Sequence, residues 1–275
     1  MFKTFSYRGV AVQKLRNVAI IHPCIIWIVN GEKRLATNGK IELLTCGDGL
    51  FLSANRKIVF ENIPHNGYFS SRQISFMSPP CEKHLKQSRE NSQYSSGLEI
   101  LRLDDDLIRI LDLIYQAEKI ITSEEVRKHW LNGVYSLLAE KGMLHVLFPY
   151  HKVQFHEKTY DLLESLPPEE HNIIRVCSQF GVSKATLIRR LRKSGTQFKH
   201  LVRQVRMNHA LFLIQSENFQ LEEVALRCGY QSVSRFEAYF EEQFGISAKA
   251  YMASLQNIEA EISTEQTAAD LLVPG

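Results

Sequence analysis

Between His171 and Ser216 the chain contains no aspartate or glutamate, and basic side chains are concentrated in the same stretch. Such cations can pair with the phosphates of a polyanion. Apolar residues recur between them at helical spacing, which indicates folded helices instead of a disordered basic tail. This pattern predicts double-stranded DNA as the partner. The cations are Arg175, Lys184, Arg189, Arg190, Arg192, Lys193, Lys199, Arg203 and Arg206.

A helix-turn-helix unit is predicted to hold the first part of this basic stretch. Apolar residues spaced along 173–180 predict a first helix, and Gly181-Val-Ser183 supplies a turn and a helix cap. The candidate recognition helix runs from Lys184 to Lys193 and turns Leu187 and Leu191 inward. Its outer side is then free to enter a major groove, which is roughly 12 Å wide.

The outer side of this helix is predicted to contact base edges. Arg189 lies at its middle and can donate two hydrogen bonds to guanine, which are worth about 1 to 3 kcal/mol of discrimination. Ala185 and Ile188 can make only apolar contacts, for example with thymine methyl groups. The predicted base contacts of this unit are Lys184, Ala185, Ile188 and Arg189. The predicted phosphate contacts are Arg190, Arg192 and Lys193.

A second helix-turn-helix unit is predicted after a long connecting helix over residues 197–215. It starts at Leu221, turns at Gly229-Tyr-Gln231 and continues in a helix from Ser232 to Phe244. A rigid connecting helix would let both recognition helices occupy successive major grooves, roughly 34 Å apart. The connecting helix carries a basic stripe that is either a further set of phosphate contacts or an ordinary solvated face; its members are Lys199, Arg203 and Arg206.

Residues 153–252 resemble the DNA-binding domain of AraC/XylS-type transcription regulators. The motifs that carry the resemblance are Phe180-Gly-Val-Ser183, Leu187-Ile-Arg-Arg-Leu191, Val205-Arg-Met207 with Ala210, Ala225-Leu-Arg-Cys-Gly-Tyr230, Phe236, Phe240 and Phe244-Gly-Ile-Ser247. The strand entry Gly47-Asp-Gly-Leu-Phe-Leu52 is similar to the cupin-like effector and dimerisation domain of that family. The resemblance implies a sequence-specific transcriptional regulator, and we expect an activator.

The resemblance also assigns base contacts in the second unit, to Val233, Ser234, Arg235 and Ala238. This unit departs from the family pattern, because its recognition helix is acidic and Ala248 replaces a common proline. Carboxylates near phosphate are unfavourable, so we expect it to contribute less affinity, with Arg235 as its main contact. The acidic face could instead contact RNA polymerase; its residues are Glu237, Glu241 and Glu242.

The chain of 275 residues is long enough for two domains. The predicted fold is α+β, with an N-terminal cupin-like β-sandwich or barrel that carries a helical pair and an all-α C-terminal domain with two helix-turn-helix units. Short β-branched runs separated by Asn30-Gly31, Asn38-Gly39 and Gly47-Asp-Gly49 predict the strands. The polar stretch from Pro79 to Gly97 is predicted to be a loop. The predicted boundaries are 1–148, 152–254 and an acidic, disordered tail at 255–275.

Two helices are predicted to follow the strands. Acidic residues from Asp104 start the first, and Thr122 with Glu125 forms a capping-box pattern for the second. The apolar face expected for the second helix contains Val126, Trp130, Val134, Leu137 and Leu138. The pair could form a dimer interface or pack on the sheet of its own domain, and the sequence leaves both readings open.

The sequence has none of the residue patterns of an enzyme or a metal centre. GxSxG, HExxH, Walker and GxGxxG motifs are missing, as is the HxH with a following glutamate of a metal-bearing cupin. We therefore predict no catalytic residues, no metal and no cofactor. The five cysteines are scattered, which favours reduced thiols, with a redox-sensing pair as the alternative.

The remaining predictions concern partners and location. The chain shows no signal peptide and no apolar run of transmembrane length, so we expect a cytoplasmic protein without a membrane partner. The alternative function is a binding module that senses a ligand or a protein, with DNA contact secondary. A small-molecule or protein effector at the N-terminal domain and a homodimer both stay open. Lys33, Arg34, Arg56 and Lys57 are either solvated charges or part of an anion pocket.

Overall fold

The structure is a computed structural model that describes residues 1–37, 39–92, 94, 98–149, 154–216 and 219–255. An N-terminal β-sheet domain precedes a helical C-terminal domain, which confirms the predicted α+β class. Residues 150–153 next to the predicted domain boundary, the predicted tail after 255 and Asn38 of one predicted turn lie outside the described residues. Within those ranges, no helix combines the length and the apolar character needed to cross a bilayer.

The strands of the N-terminal domain form two antiparallel sheets. The first sheet has the order β1-β8-β3-β6-β9 and the second has the order β2-β7-β4-β5. Their bounds are β1 Phe2–Gly9, β2 Gln13–Ile20, β3 Cys24–Asn30, β4 Glu32–Thr37, β5 Lys40–Leu44, β6 Asp48–Leu52, β7 Arg56–Ile63, β8 Phe69–Phe76 and β9 Leu98–Arg102.

Strand β3 shows why the chain forms a sandwich with helices on its outer side. Successive side chains of a strand point to opposite faces of the sheet. Ile26 and Ile28 face the second sheet, whereas Ile25 and Trp27 face a layer of helices, and all four are buried. Both faces of β3 are apolar, so one is covered by the second sheet and the other by the helices. Burial on both faces accounts for the uninterrupted apolar sequence of this strand.

The helices cover one face of the first sheet and then build the C-terminal domain. A short 3-10 helix spans Pro168–Glu170. The α-helix bounds are α1 Glu82–Glu90, α2 Asp105–Ile120, α3 Glu124–Glu140, α4 Leu144–Leu147, α5 Phe155–Ser165, α6 Ile173–Phe180, α7 Lys184–Lys193, α8 Phe198–Ser216, α9 Leu221–Arg227, α10 Val233–Phe244 and α11 Ala248–Ala253.

The prediction of a loop from Pro79 to Gly97 was wrong, because α1 lies within this stretch. Leu85 and Ser88 are its buried positions, and they pack the helix against α3 and α4. Only these contacts with distant residues distinguish α1 from a polar loop, since its mean composition is hydrophilic. Glu82 in its first turn complements the helix dipole.

The predicted helical pair corresponds to α2 and α3, with two local corrections. The cap of α3 is Ser123, whose side chain accepts a hydrogen bond from the backbone N–H of Val126, and not Thr122. Val126 and Trp130, which we placed on the same apolar face as Val134 and Leu138, are 44% and 39% exposed. The helix is rotated so that its inner face carries Leu131, Val134, Tyr135, Leu138 and Ala139.

The two domains are packed together through β2. Leu15 is 3% exposed and belongs to the same apolar cluster as Phe236 and Phe240 of α10. A bulge after Leu15 places Asn17 at a φ of 53°, and the side chain of Gln243 donates a hydrogen bond of 2.9 Å to the Asn17 carbonyl. The DNA-binding half of the chain therefore shares part of its core with a strand of the sandwich.

This shared core gives a stability prediction. Leu15→Ala should lower the free energy of unfolding by about 2 to 5 kcal/mol, because it leaves a cavity between the domains. Lys14→Ala is the matched control, since Lys14 is 71% exposed and pairs with Glu61 only at the surface. Urea unfolding measures both variants. Equal effects of the two substitutions would contradict a common core.

Candidate nucleic-acid interface

The first helix-turn-helix unit consists of α6 and α7. Gly181 ends α6 in the left-handed conformation, with a φ of 60°, and Ser183 caps α7 by accepting a hydrogen bond from the N–H of Thr186. Leu187 and Leu191 are fully buried. These contacts fix the orientation of α7, so its opposite side faces solvent.

The outer side of α7 presents cations that have no hydrogen-bond or ion-pair partner in the described part of the chain. Lys184, Ala185 and Arg189 are exposed, and Ile188 is 40% exposed. Among the described residues, Lys184, Arg189, Arg192 and Lys193 make no side-chain hydrogen bond or ion pair. Their donors are free to bind an external acceptor. The first unit thus brings its predicted base contacts together on one helix face, beside the predicted phosphate contacts Arg190, Arg192 and Lys193.

Two of the predicted phosphate contacts, Arg190 and Lys199, differ in how their side chains are held. The guanidinium of Arg190 stacks over the ring of Phe155, with 5.2 Å between Cζ and the ring centroid. Stacking on an aromatic ring restrains the side chain without removing its N–H donors. Lys199, in the first turn of α8, is exposed.

Arg206 has a structural role that the sequence did not reveal. Its guanidinium donates to the carbonyls of Pro168 and Gly229 at 2.6 and 3.0 Å, and to Nδ1 of His171 at 3.4 Å. It therefore ties α8 to the turn of the second unit and to the segment before α6. Because these contacts use its donors, the geometry favours this role over the predicted phosphate contact.

Arg203 lies between the two units and is paired. Its Nη1 donates to a carboxylate oxygen of Glu242 at 2.7 Å, and its Cζ lies 4.8 Å from the centroid of the Tyr239 ring. Glu242 thus lowers the positive charge that the stripe on α8 offers to DNA. The pair is exposed on the Glu242 side, so its attraction is screened by solvent.

The second unit consists of α9 and α10. Ser232 caps α10 through the N–H of Arg235, and Phe236 and Phe240 are buried beneath it. Ser234, Arg235 and Ala238 are exposed and Val233 is half-buried. These four predicted base contacts lie in the first half of α10, in the same way as the four predicted for the first unit lie near the start of α7.

Tyr239 joins this surface, although we did not predict it. Arg235 donates two long hydrogen bonds to its hydroxyl oxygen, at 3.3 and 3.4 Å from Nη2 and Nε. These hydrogen bonds to Arg235 hold the pKa of the Tyr239 phenol below its usual value. The arginine that we expected to be the main base contact of this unit is therefore positioned by a tyrosine one turn later in the helix.

The carboxylates of α10 do not act as one acidic face. Glu237 accepts hydrogen bonds from the N–H groups of Ala248 and Lys249, at 2.9 and 3.3 Å, and so caps the start of α11. Glu242 pairs with Arg203. Within the described chain, Glu241 is the one of the three that is exposed and makes no ion pair or side-chain hydrogen bond. The repulsion of phosphate expected from this helix is correspondingly smaller.

Comparison with known proteins identifies the DNA-binding domain of the chain. Residues 176–254 match a family described as a helix-turn-helix domain. The chain is 24% identical over 259 residues to the HTH-type transcriptional regulator GadX of Escherichia coli K12. The aligned region covers 92% of this chain and 90% of GadX. The chain is also 24% identical over 169 residues to the E. coli HTH-type transcriptional activator CfaD, over 62% of this chain and 57% of CfaD.

The helix-turn-helix domain of the chain is of the AraC/XylS type, and the relatives that match it are transcriptional regulators. The structure of ToxT from Vibrio cholerae, solved with a bound unsaturated fatty acid, has a similar fold, with a TM-score of 0.61 at 18% identity. The similarity covers 94% of this chain and 96% of ToxT. The protein is thus a DNA-binding transcriptional regulator that has a ToxT-like arrangement of a β-sheet domain and a helical domain.

The chain also contains a cavity between its two domains, which we call the interdomain cavity. Its volume is about 520 Å³, and apolar side chains predominate in its walls. Both domains contribute, because its lining includes Phe5, Ile26, Lys33, Tyr160, Phe212 and Tyr251. A cavity of this size and character is typical of a small-molecule site.

Lys33 supplies a buried cation in the interdomain cavity. It is 3% exposed, its Nζ donates a hydrogen bond to Oδ1 of Asn62, and Nζ lies 3.7 Å from the centroid of the Phe60 ring. Burial lowers the pKa of this lysine to about 7. No carboxylate pairs with it among the described residues. Of the four basic residues considered for an anion pocket, Lys33 lines the interdomain cavity, whereas Arg34, Arg56 and Lys57 are exposed and are not part of its lining.

The structural assignment of Arg206 can be tested directly. Arg206→Met should lower the free energy of unfolding by about 2 kcal/mol, because it removes the charged hydrogen bonds, one of them part-buried, that hold α8 against Pro168 and Gly229. Arg192→Met is the control, since Arg192 is exposed on α7 and has no such partner in the described chain. Thermal and urea unfolding compare the two. A loss of DNA binding in Arg206→Met without any loss of stability would restore the phosphate role.

Proposed function

We propose that the two units place α7 and α10 in successive major grooves of one DNA site. The observation that carries this proposal is the set of cations on the outer side of α7, for which residues 1–255, apart from the gaps given above, supply no hydrogen-bond or ion-pair acceptor. The connecting helix α8 contains 19 residues and is therefore roughly 28 Å long. That length is compatible with two grooves on one face of the duplex, roughly 34 Å apart.

We assign the base contacts to Lys184, Ala185, Ile188 and Arg189 in α7 and to Val233, Ser234, Arg235 and Ala238 in α10. Exposure of most of these side chains at the helix starts supports the assignment. The phosphate contacts are then Arg190, Arg192, Lys193 and Lys199. Arg203 is a weaker phosphate contact in this assignment, because it already forms an ion pair with Glu242. We further assign residues 1–148 to the effector and dimerisation domain and 152–254 to the DNA-binding domain.

We infer that the regulator acts as an activator, and that Glu241 belongs to a surface available to RNA polymerase. CfaD is named as an activator, and Glu241 is exposed and has no ion-pair partner among the described residues. Dimer formation would use the outer side of α2 and α3. There, Leu113, Ile120, Val126 and Trp130 are exposed although the inner sides of both helices are packed on the sandwich.

The α7 assignment predicts two different effects on DNA binding. Arg189→Ala should relax the base preference at one position of the site and cost about 1 to 3 kcal/mol there. Lys193→Ala should weaken binding to all sequences alike and make the slope of log affinity against log salt shallower by about 0.9. Binding to randomised duplexes at several salt concentrations separates the two. Unchanged affinity and preference in both variants would refute the assignment.

A second proposal concerns the interdomain cavity, which we assign to an effector with one carboxylate and a long apolar tail. ToxT has been solved with an unsaturated fatty acid. In the present chain the supporting observation is Lys33, a single buried cation without a carboxylate partner in the described structure, at the wall of a largely apolar cavity. A bound carboxylate would supply the missing counter-charge and favour the protonated lysine.

Oleate tests the effector site. At about 100 times its dissociation constant it should raise the free energy of unfolding of the wild-type protein by roughly 2.7 kcal/mol. Lys33→Met should remove most of this stabilisation, whereas Lys14→Met, at an exposed position, should keep it. Thermal unfolding with and without oleate measures the difference. Equal stabilisation of Lys33→Met would place the ligand elsewhere.

A further inference from the structure

A chain of buried hydrogen bonds leads away from Lys33. Lys33 Nζ donates to Asn62 Oδ1, and Asn62 Nδ2 donates to Gln13 Oε1 at 2.9 Å. Gln13 Nε2 then donates to Ser254 Oγ at 2.8 Å, and Ser254 Oγ donates to the carbonyl of Tyr251 at 2.6 Å. We call these four side chains, Lys33, Asn62, Gln13 and Ser254, the relay.

Every member of the relay is buried. The exposed fractions are 3% for Lys33, 2% for Asn62, 0% for Gln13 and 5% for Ser254. Water cannot easily replace a lost partner at such positions, so a break at one bond leaves a donor or an acceptor unsatisfied. Each member of the relay donates to the next one, so all the hydrogen bonds run from Lys33 towards the carbonyl of Tyr251. Consecutive hydrogen bonds with one direction polarise and strengthen each other in a low-dielectric interior.

The relay crosses from the sandwich into the DNA-binding domain. Lys33, Asn62 and Gln13 belong to β4, β7 and β2, whereas Ser254 directly follows α11. The backbone strengthens this junction, because the N–H of Val10 donates to the carbonyl of Ser254 at 2.7 Å. The cavity lysine is therefore connected to the point where the last helix docks on the sandwich.

Gln13 also connects to the helix between the two units. Its Nε2 donates to the carbonyl of Arg8 at 2.9 Å, and Gln215 of α8 donates to the same carbonyl at 3.1 Å. Gln215 in turn accepts a hydrogen bond from the N–H of Arg8 at 2.8 Å and donates to the Tyr251 hydroxyl at 2.6 Å. The relay thus branches at Gln13 to both α8 and α11.

We propose that Asn62 and Gln13 are positioning residues which couple the state of Lys33 in the interdomain cavity to the docking of α8 and α11 on the sandwich. As an effector mechanism this rests on the proposed cavity function, but the relay itself is tested without a ligand. A carboxylate that keeps Lys33 protonated would strengthen its hydrogen bond to Asn62 and, through Gln13, tighten the domain junction.

Hydrogen exchange of the full chain provides the test, with peptides that cover 8–15 and 248–255. Lys33→Met should speed exchange at this junction by about tenfold, because the relay loses its first donor. Asn62→Leu carries the same expectation and decides the matter if Lys33→Met fails to fold. In a Gln13→Met background, where the relay is already broken, Lys33→Met should add less than about twofold.

Gln243→Met is the matched control, because Gln243 also makes a hydrogen bond between the domains but has no link to Lys33. In that background Lys33→Met should keep its full effect of about tenfold. Equal effects of Lys33→Met in the Gln13→Met and Gln243→Met backgrounds would overturn the relay, as would normal exchange at the junction in both Lys33→Met and Asn62→Leu.

Oleate then distinguishes the relay from the effector proposal. In the wild-type protein, saturating oleate should slow exchange at the Val10–Ser254 contact by about tenfold. Gln13→Met should bind oleate with unchanged affinity yet show less than about threefold protection there. Full protection in Gln13→Met would overturn the relay. If wild-type protein does not bind oleate, the effector proposal fails, and the ligand-free cycle still decides whether the relay exists.

Discussion

Unbalanced positive charge on a rigid helix is the constraint on which the rest of the structure depends. The stretch from His171 to Ser216 contains no carboxylate, so the cations of α7 cannot be neutralised within their own unit. Burial of Leu187 and Leu191 fixes the face on which Arg189 lies. The protein therefore maintains a surface whose repulsion is relieved when it binds phosphates, and the second unit must be held in a suitable position relative to it.

That position depends on contacts of residues far apart in the sequence. Arg206 connects α8 to the turn at Gly229, and Gln13 connects the sandwich to both α8 and α11. The interdomain cavity lies beside these junctions, with Lys33 as its buried cation. A ligand there would act on the orientation of the two units without touching the recognition helices. The proposed regulation would thus act through contacts that position the DNA-binding units.

The sequence predicted those features that depend on local spacing. Apolar periodicity identified α7 and α10, the glycine turns identified both units, and Asp104 identified the start of α2. Sequence-based prediction failed for features that depend on contacts between residues far apart in the sequence. The polar composition of α1 concealed Leu85, the predicted face of α3 was rotated, and the burial of Lys33 depends on strands that meet only in the folded sheet. Arg206 was indistinguishable in sequence from its solvated neighbours, because its acceptors are backbone carbonyls of distant turns.

The salt dependence of binding to double-stranded DNA tests the central claim most directly. If Arg190, Arg192, Lys193 and Lys199 contact phosphates, log affinity should fall linearly with log salt concentration, with a slope of about −4, since each phosphate contributes about −0.9. Binding that is independent of salt, or no binding to duplex DNA even in dilute buffer, would contradict a cationic surface that acts through the phosphate backbone.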